Sequence, residues 1–282
     1  MDGPIPTSPR TLKAFFRERA FLPRKSRGQS FLVRDSVAER LVASLALSPA
    51  DSVLEIGGGL GALSRLLAGQ AAKVAVFEPD PILFAFLKET FRESAVTVLQ
   101  DDFRKADISA LAPAGKRVKV IGNLPYALTS DMLLYLFKNR HRIETAVVTI
   151  QREVAERCLA RPGGKSYSPL SCVMQYAAEL TPLFQIPPEA FYPKPAITSQ
   201  ALRIAFLPTP KVAVSDEDFF FRVIRTAFGK RRKQLVNSLT GSLFSKEQVT
   251  GALKEAKVTP SRRAEELSLQ DFARLCEALR RD

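Results

Sequence analysis

The sequence predicts an α/β protein: a doubly wound, largely parallel sheet followed by a small all-α C-terminal domain. Three observations carry that prediction. Between residues 52 and about 150, short apolar runs alternate with helix-length segments, the rhythm of a strand–helix–strand sheet. The runs are apolar on both faces, as strands covered by helices on both sides must be. Strand patterning then stops at Leu207-Pro-Thr-Pro-Lys211, and only helical spacing follows.

In chain order, residues 36–47 form an amphipathic helix with Val37, Leu41 and Leu45 four apart. Strands are expected at 52–56, 73–77, 96–99, 117–121 and 145–150, with helices at 80–92 and 129–139 between them. Two later strands, 183–186 and 201–206, flank the proline-rich segment 187–195. Their closeness in sequence suggests an antiparallel, hairpin-like pair completing the sheet edge, and the dense prolines hold the connection extended and rigid. In the tail, Phe220, Val223, Ile224, Ala227 and Phe228 share a face, and Leu269, Phe272, Leu275 and Leu279 form a stripe. Ser245 to Gln248 and Ser268 to Asp271 have the spacing of capping boxes. The expected organisation is a basic arm over 1–27, a Rossmann-like domain over 28–208 and a helical domain over 209–282. Within the arm, Leu12, Phe15 and Phe16 suit either a short docking helix or a segment that orders on binding a partner.

The chain has 282 residues, with 42 Lys+Arg against 29 Asp+Glu and a formal charge of +13. An excess of that size points to a polyanionic partner, nucleic acid or an acidic membrane surface. No run approaches the ~20 apolar residues of a membrane span. The N-terminal stretch lacks the apolar core of a secretory signal, so an intracellular protein is expected. Cys158, Cys172 and Cys276 are odd in number and widely spaced, which argues against a disulfide framework or a thiolate zinc site. The single histidine, His141, lies in a basic helix-end segment, so a histidine-based triad or a multi-histidine metal site is not expected.

The chemistry is concentrated where strands end. Gly57, Gly59 and Gly61 follow the first strand and open a helix, allowing a tight turn and close approach to a ligand. Glu78 ends the next strand, 21 residues after Gly57, where a carboxylate can accept two hydrogen bonds from a ribose diol. This much fits either a nicotinamide dinucleotide or S-adenosylmethionine. Glu55 favours S-adenosylmethionine, because a carboxylate beside a pyrophosphate is repulsive. Asp102 ends the third strand and can accept from an adenine amine while Phe103 covers the ring. The neighbouring Asp101 leaves a one-residue ambiguity at that contact.

The fourth strand runs into Asn123-Leu124-Pro125-Tyr126. An exocyclic adenine amine is a poor nucleophile, since its lone pair is delocalised into the ring. Two acceptors on its N–H groups turn the lone pair outward, and the Asn123 oxygen with a backbone carbonyl of the same turn can supply them. Tyr126 is then placed to stack on an extruded base.

Gly28-Gln-Ser-Phe-Leu32, Glu55-Ile-Gly-Gly-Gly59, Glu78, Asp102 and Asn123-Leu-Pro-Tyr126, in this order, resemble the ribosomal RNA adenine dimethyltransferases. Phe191-Tyr-Pro193-Lys-Pro195-Ala-Ile-Thr-Ser199 is similar to that family's second base-stacking loop. The tail segments 228–239 and 260–267 resemble its KsgA/RsmA-type branch, which modifies small-subunit RNA. The resemblance spans residues 24 to 280. It implies a class I S-adenosylmethionine-dependent methyltransferase sheet and dimethylation of adenosine N6. It also implies cofactor contacts from Gln29, Ser30, Leu32, Gly57, Gly59, Glu78, Asp102, Phe103 and Asn123. Asn123, Leu124, Pro125, Tyr126 and Phe191 would handle the target base. The family usually has Asn where this chain has Ser30, whose reach is shorter.

RNA-backbone contacts are expected from Arg24, Lys25 and Arg27 before the lid motif, and from Arg222, Arg225, Lys230, Arg231, Arg232 and Lys233 in the tail. The expected partner is the immature small ribosomal subunit, met in the cytoplasm by a monomer without metal or membrane. The competing readings are a large-subunit RNA methyltransferase of the drug-resistance type, a DNA adenine methyltransferase, an RNA-binding assembly or transcription factor, and a nicotinamide-dependent dehydrogenase.

Overall fold

The computed structural model describes residues 5–6, 8–23, 28–112, 115–230, 233–241 and 244–281. The chain divides into two compact units, one made of Met1–Ala155 and Glu179–Phe206, the other of Glu156–Ala178 and Leu207–Asp282.

The first unit begins with helix α1 (Pro9–Glu18), strand β1 (Phe31–Leu32) and helix α2 (Asp35–Ala43). There follow β2 (Ser52–Ile56), α3 (Ser64–Leu67), β3 (Lys73–Phe77), α4 (Pro81–Thr90), β4 (Val96–Leu99), α5 (Ile108–Leu111), β5 (Val118–Asn123), α6 (Thr129–Lys138) and β6 (Ile143–Gln151). Helices α7 (Arg152–Leu159) and α8 (Pro169–Ala177) precede β7 (Ala178–Ile186), β8 (Phe191–Tyr192) and β9 (Ser199–Phe206). The main sheet runs β4-β3-β2-β5-β6-β9-β7. Strands β2 to β6 pair in parallel, and β9 joins β6 antiparallel. The expected edge pair is present, with β9 inside and β7 outermost. A separate two-stranded ladder joins β1 to β8, with Phe31 opposite Tyr192 and Leu32 opposite Phe191.

All five residues of β2 and the first five of β5 are buried, as central parallel strands require. Helix starts are chemically marked. Asp80 accepts from the Ile82 N–H at the head of α4, where Pro81 occupies the first turn, and Ser8 caps α1 through a capping box with Thr11. Leu12, Phe15 and Phe16 of α1 pack with Phe21, Phe31, Leu60 and Leu83. The arm therefore contains a docked helix, the first of the two options its sequence allowed.

The second unit holds α8 and the tail helices α9 (Glu217–Phe228), α10 (Leu235–Leu239), α11 (Lys246–Glu255) and α12 (Leu269–Arg281). Its aromatic contacts include Tyr176 with Phe220 at 5.4 Å, Tyr167 with Phe228 at 6.0 Å and Phe228 with Phe272 at 6.1 Å. Capping boxes begin α8 and α11, and Ser268 and Asp271 exchange the equivalent bonds before α12. All three cysteines are buried free thiols.

Candidate active site

The strand order reverses beside β2, whose neighbours are β3 on one side and β5 on the other. Ligands of such sheets bind beyond the carboxyl ends of the strands at that reversal. Register determines which residues meet there. Ile56 lies opposite both Phe77 and Gly122, and Phe77 lies opposite Leu99. The next residues, Gly57, Glu78 and Asn123, therefore emerge at one level, with Asp102 just past the end of β4. A cavity of about 500 Å³ opens among them.

Gly57, Gly59 and Gly61 all have positive φ, at 72°, 57° and 83°. The turn thereby directs the Gly59 N–H onto Glu78 Oε2 at 2.8 Å. Gly122 answers to a different constraint: a Cβ there would lie 2.8 Å from both the carbonyl oxygen and Cβ of Ile56. Strand β5 must carry glycine at that point to approach β2 so closely.

Gly28, Gln29, Ser30, Leu32, Gly57, Gly59, Glu78, Asp102, Phe103 and Asn123 all line the cavity. Every cofactor residue expected from the sequence is therefore at one place. Glu78 Oε1 accepts from the Asp80 N–H at 3.0 Å, so its carboxylate is held by the backbone at both oxygens. Asp102 receives the Arg104 side chain, with Nη2 2.6 Å from Oδ2, and that bond keeps its acid below the usual carboxylate range. Asp101 is exposed and does not line the cavity.

Glu55 is fully buried beneath the glycine turn and accepts from Ser64 Oγ at 2.6 Å. Burial, supplemented by the neighbouring Glu78 charge, raises its acid to about 8.

At the Asn-Leu-Pro-Tyr turn, Asn123 Nδ2 donates to the Ser30 carbonyl at 2.8 Å, which fixes the orientation of the amide. Its Oδ1 is buried and has no hydrogen-bond partner. Leu124 is in the core, and its N–H donates to the Thr149 carbonyl. Pro125 lines the cavity, whereas Tyr126 does not; its phenol meets Ser199 Oγ at 2.6 Å. Burial raises the Tyr126 hydroxyl above its ordinary range. Phe191 is only 3% exposed, packed with Leu32 and Ala190 rather than lining the cavity.

The Ser30 hydroxyl, at the cavity wall, donates to the Pro193 carbonyl at 2.8 Å. It thus ties the segment before β1 to the segment after β8. Sequence reasoning did not find this bond, nor the apolar wall of Phe31, Leu60, Leu83, Leu128 and Met132. Only the position of Phe31 inside the lid motif hinted at it.

The residues suit S-adenosylmethionine. The lining contains Glu55, Glu78, Asp80 and Asp102 and no Lys, Arg or His among the described residues. Glu55 holds its proton near neutral pH and Asp102 is paired with Arg104. It is therefore the absence of a lining cation, in a chain of charge +13, that leaves nothing among the described lining residues to hold a pyrophosphate.

Of the expected RNA contacts, Arg222 and Arg225 are exposed on α9, on the face opposite its buried Phe220, Val223, Ile224 and Ala227. Lys230 and Lys233 are exposed beyond its end. Arg24, Lys25, Arg27, Arg231 and Arg232 lie outside the described residues. His141 is an exposed turn residue. Among the described residues there is no cluster of three or more potential metal ligands, and no helix long and apolar enough to cross a membrane.

This strand order, with a glycine turn after β2 and a carboxylate after β3, defines a class I S-adenosylmethionine-dependent methyltransferase with an α-helical C-terminal part. The chain belongs to the ribosomal RNA adenine dimethylase family, whose model matches residues 20–281. It is 41% identical over 288 residues to ribosomal RNA small subunit methyltransferase A of Moorella thermoacetica, covering 99% of both chains. To the protein of the same name from Pelotomaculum thermopropionicum it is 39% identical, covering 97% of both. The 23S rRNA methyltransferase ErmE superposes with a TM-score of 0.68 at 25% identity, over 89% of this chain and 99% of that one. A dimethyladenosine transferase from Plasmodium falciparum superposes with a TM-score of 0.73 at 22% identity, over 87% and 95%, and so shares the fold.

Proposed function

We propose that this protein transfers methyl groups from S-adenosylmethionine to N6 of two adjacent adenosines in the 3′-terminal stem-loop of small-subunit ribosomal RNA. It does so as a cytoplasmic monomer acting on immature small subunits. The observation that carries the chemistry is Asn123 Oδ1, a buried acceptor without a partner at the wall of an acidic cavity. A buried polar atom left unpaired costs about 1–3 kcal/mol, so its retention favours a ligand donor. An adenine amine is the donor that this family's chemistry requires there.

When bound, S-adenosylmethionine supplies a methyl group on a positively charged sulfur, which is already a good leaving group. The chain's own residues then provide position and charge. Glu78 is placed to accept from a ribose diol and Asp102 from an adenine amine, while Phe103 covers the ring. The Asn123 oxygen and a carbonyl of the same turn orient the target lone pair, with Tyr126 and Phe191 supporting the extruded base. The exposed cations of α9 and those before the lid motif hold the RNA backbone, which positions the substrate without reading its sequence.

A second reading, methylation of large-subunit RNA, is favoured by the superposition on ErmE. The near full-length relatives at 39–41% identity carry the small-subunit name, which supports the first reading.

Asn123→Ala tests the catalytic assignment against a role in binding alone. The expected outcome is a loss of methyl transfer of about 10²–10³-fold, the scale for removing one preorganised polar group, with retention on small subunits unchanged. Unimpaired transfer would remove Asn123 from the mechanism.

A further inference from the structure

Helix α1 carries a stripe of positive charge that neither the sheet nor the cofactor cavity requires. Arg10, Lys13 and Arg17 follow one another at spacings of three and four and are all exposed, so they share one face. None of the three has an ion-pair partner among the described residues. The helix's one carboxylate, Glu18, follows Phe15 by three and so lies on the opposite flank from Lys13, which precedes Phe16 by three. The first turn contains no acid, although an acid there would favour the helix through its dipole. Self-stabilisation through the dipole therefore accounts for Arg17, in the last turn, but not for Arg10 or Lys13.

The stripe has a defined location. Phe16 stacks on Tyr192 with ring centres 6.0 Å apart at 25°, and Lys13 Nζ lies 5.7 Å over the same ring. Tyr192 pairs with Phe31, which lines the cavity. The cations therefore border the segment that includes Phe191 and Tyr192. The apolar face of α1 is already used: Leu12 is fully buried, and Phe15 and Phe16 nearly so. Within α1 no large apolar side chain is left exposed, and the single exposed Leu22 beyond its end makes no apolar face, so the chemistry the helix offers is that of a cationic rail on a fixed support. From Arg10 to Arg17 the rail measures about 10.5 Å at 1.5 Å per residue. This is about three steps of a stacked strand at 3.4 Å each.

We infer that Arg10, Lys13 and Arg17 contact the phosphates of the RNA strand flanking the extruded adenosine, adding three cations of α1 to the RNA contacts expected from the sequence. The inference rests on the reading that the cavity serves RNA methylation.

The test is the full-length triple variant Arg10→Gln/Lys13→Gln/Arg17→Gln. Retention on undermethylated small subunits is measured by sedimentation across a potassium chloride series, and S-adenosylmethionine affinity by calorimetry. The expected result is about tenfold weaker retention and a logarithmic salt slope lower by about 3, one for each lost phosphate contact, with cofactor affinity unchanged. Glu18→Gln, on the other flank, should leave retention as in the parent. Parental retention and slope in the triple variant would overturn the inference. So would weakened cofactor binding with parental retention, which would make α1 a support for the cavity wall only. Because retention is read without turnover, a parent that binds small subunits but methylates nothing would defeat the catalytic reading while the stripe is still judged. A parent that neither binds nor methylates would defeat both.

Discussion

Glu55 illustrates how one buried group ties stability to pH. Its acid is raised from 4.5 to about 8 by burial. Between those values the native protein holds a proton that the unfolded chain has released, so stability falls as pH rises through this window. The slope for one proton is about 1.4 kcal/mol per pH unit. Stability contributed by protonated Glu55 is full below pH 4.5 and lost by about pH 8. Glu55→Gln keeps an acceptor for Ser64 without the titration, so its melting temperature should fall less between pH 6 and 8 than that of the parent. Parallel curves in a thermal melt series would show that Glu55 does not titrate in this range. Two glycines follow the same logic of local constraint. Gly59 places its N–H on Glu78, and Gly122 lets β5 meet β2. Gly122→Ala must displace the Ile56 backbone, and chemical denaturation should show a loss of about 1–3 kcal/mol, the usual cost of overpacking.

At the scale of elements, strands were the most legible part of the chain. The apolar runs at 52–56, 73–77 and 96–99 coincide with β2, β3 and β4. Strand β2 is buried throughout and has no polar face to blur its pattern. The β-branched Val and Thr of β3 and β4 mark those strands, although β4 is the partly exposed edge. Ends were less clear: β5 continues to Asn123 and β7 begins at Ala178, where polar residues continue ladders set by neighbouring strands. The glycine turn, Glu78 and Asn123 were readable because each follows a strand whose end the pattern revealed. The segment 156–178, which carries α8, falls in the second unit, although the sequence places it within the domain expected over 28–208. Its placement depends on contacts such as Tyr176 on Phe220, which have no local signature. The Ser30–Pro193 bond escaped for the same reason, joining positions 163 residues apart. Serine supplies the hydroxyl donor of that bond at the cavity wall. Ser30→Ala should therefore loosen the β1–β8 ladder and raise the KM for S-adenosylmethionine several-fold through about 0.5–1.5 kcal/mol of lost hydrogen bonding. An unchanged KM would assign the bond no part in shaping the cavity.

Across the whole molecule, charge is divided by function. The chain carries +13, yet the cavity lining holds four acidic side chains, Glu55 among them protonated near neutral pH, and no cation among the described residues. RNA affinity should fall steeply with salt, since each phosphate contact releases counterions. Cofactor affinity should change much less, because buried charges are weakly screened. The central claim is methylation of adenosine N6 on small-subunit RNA, and its most direct test is transfer of labelled methyl from S-adenosylmethionine to undermethylated small subunits, large subunits and naked ribosomal RNA, followed by nucleoside analysis. The account predicts N6,N6-dimethyladenosine from small-subunit material and none from large subunits. Label confined to large-subunit RNA, or absent from every substrate while small subunits are still bound, would contradict it.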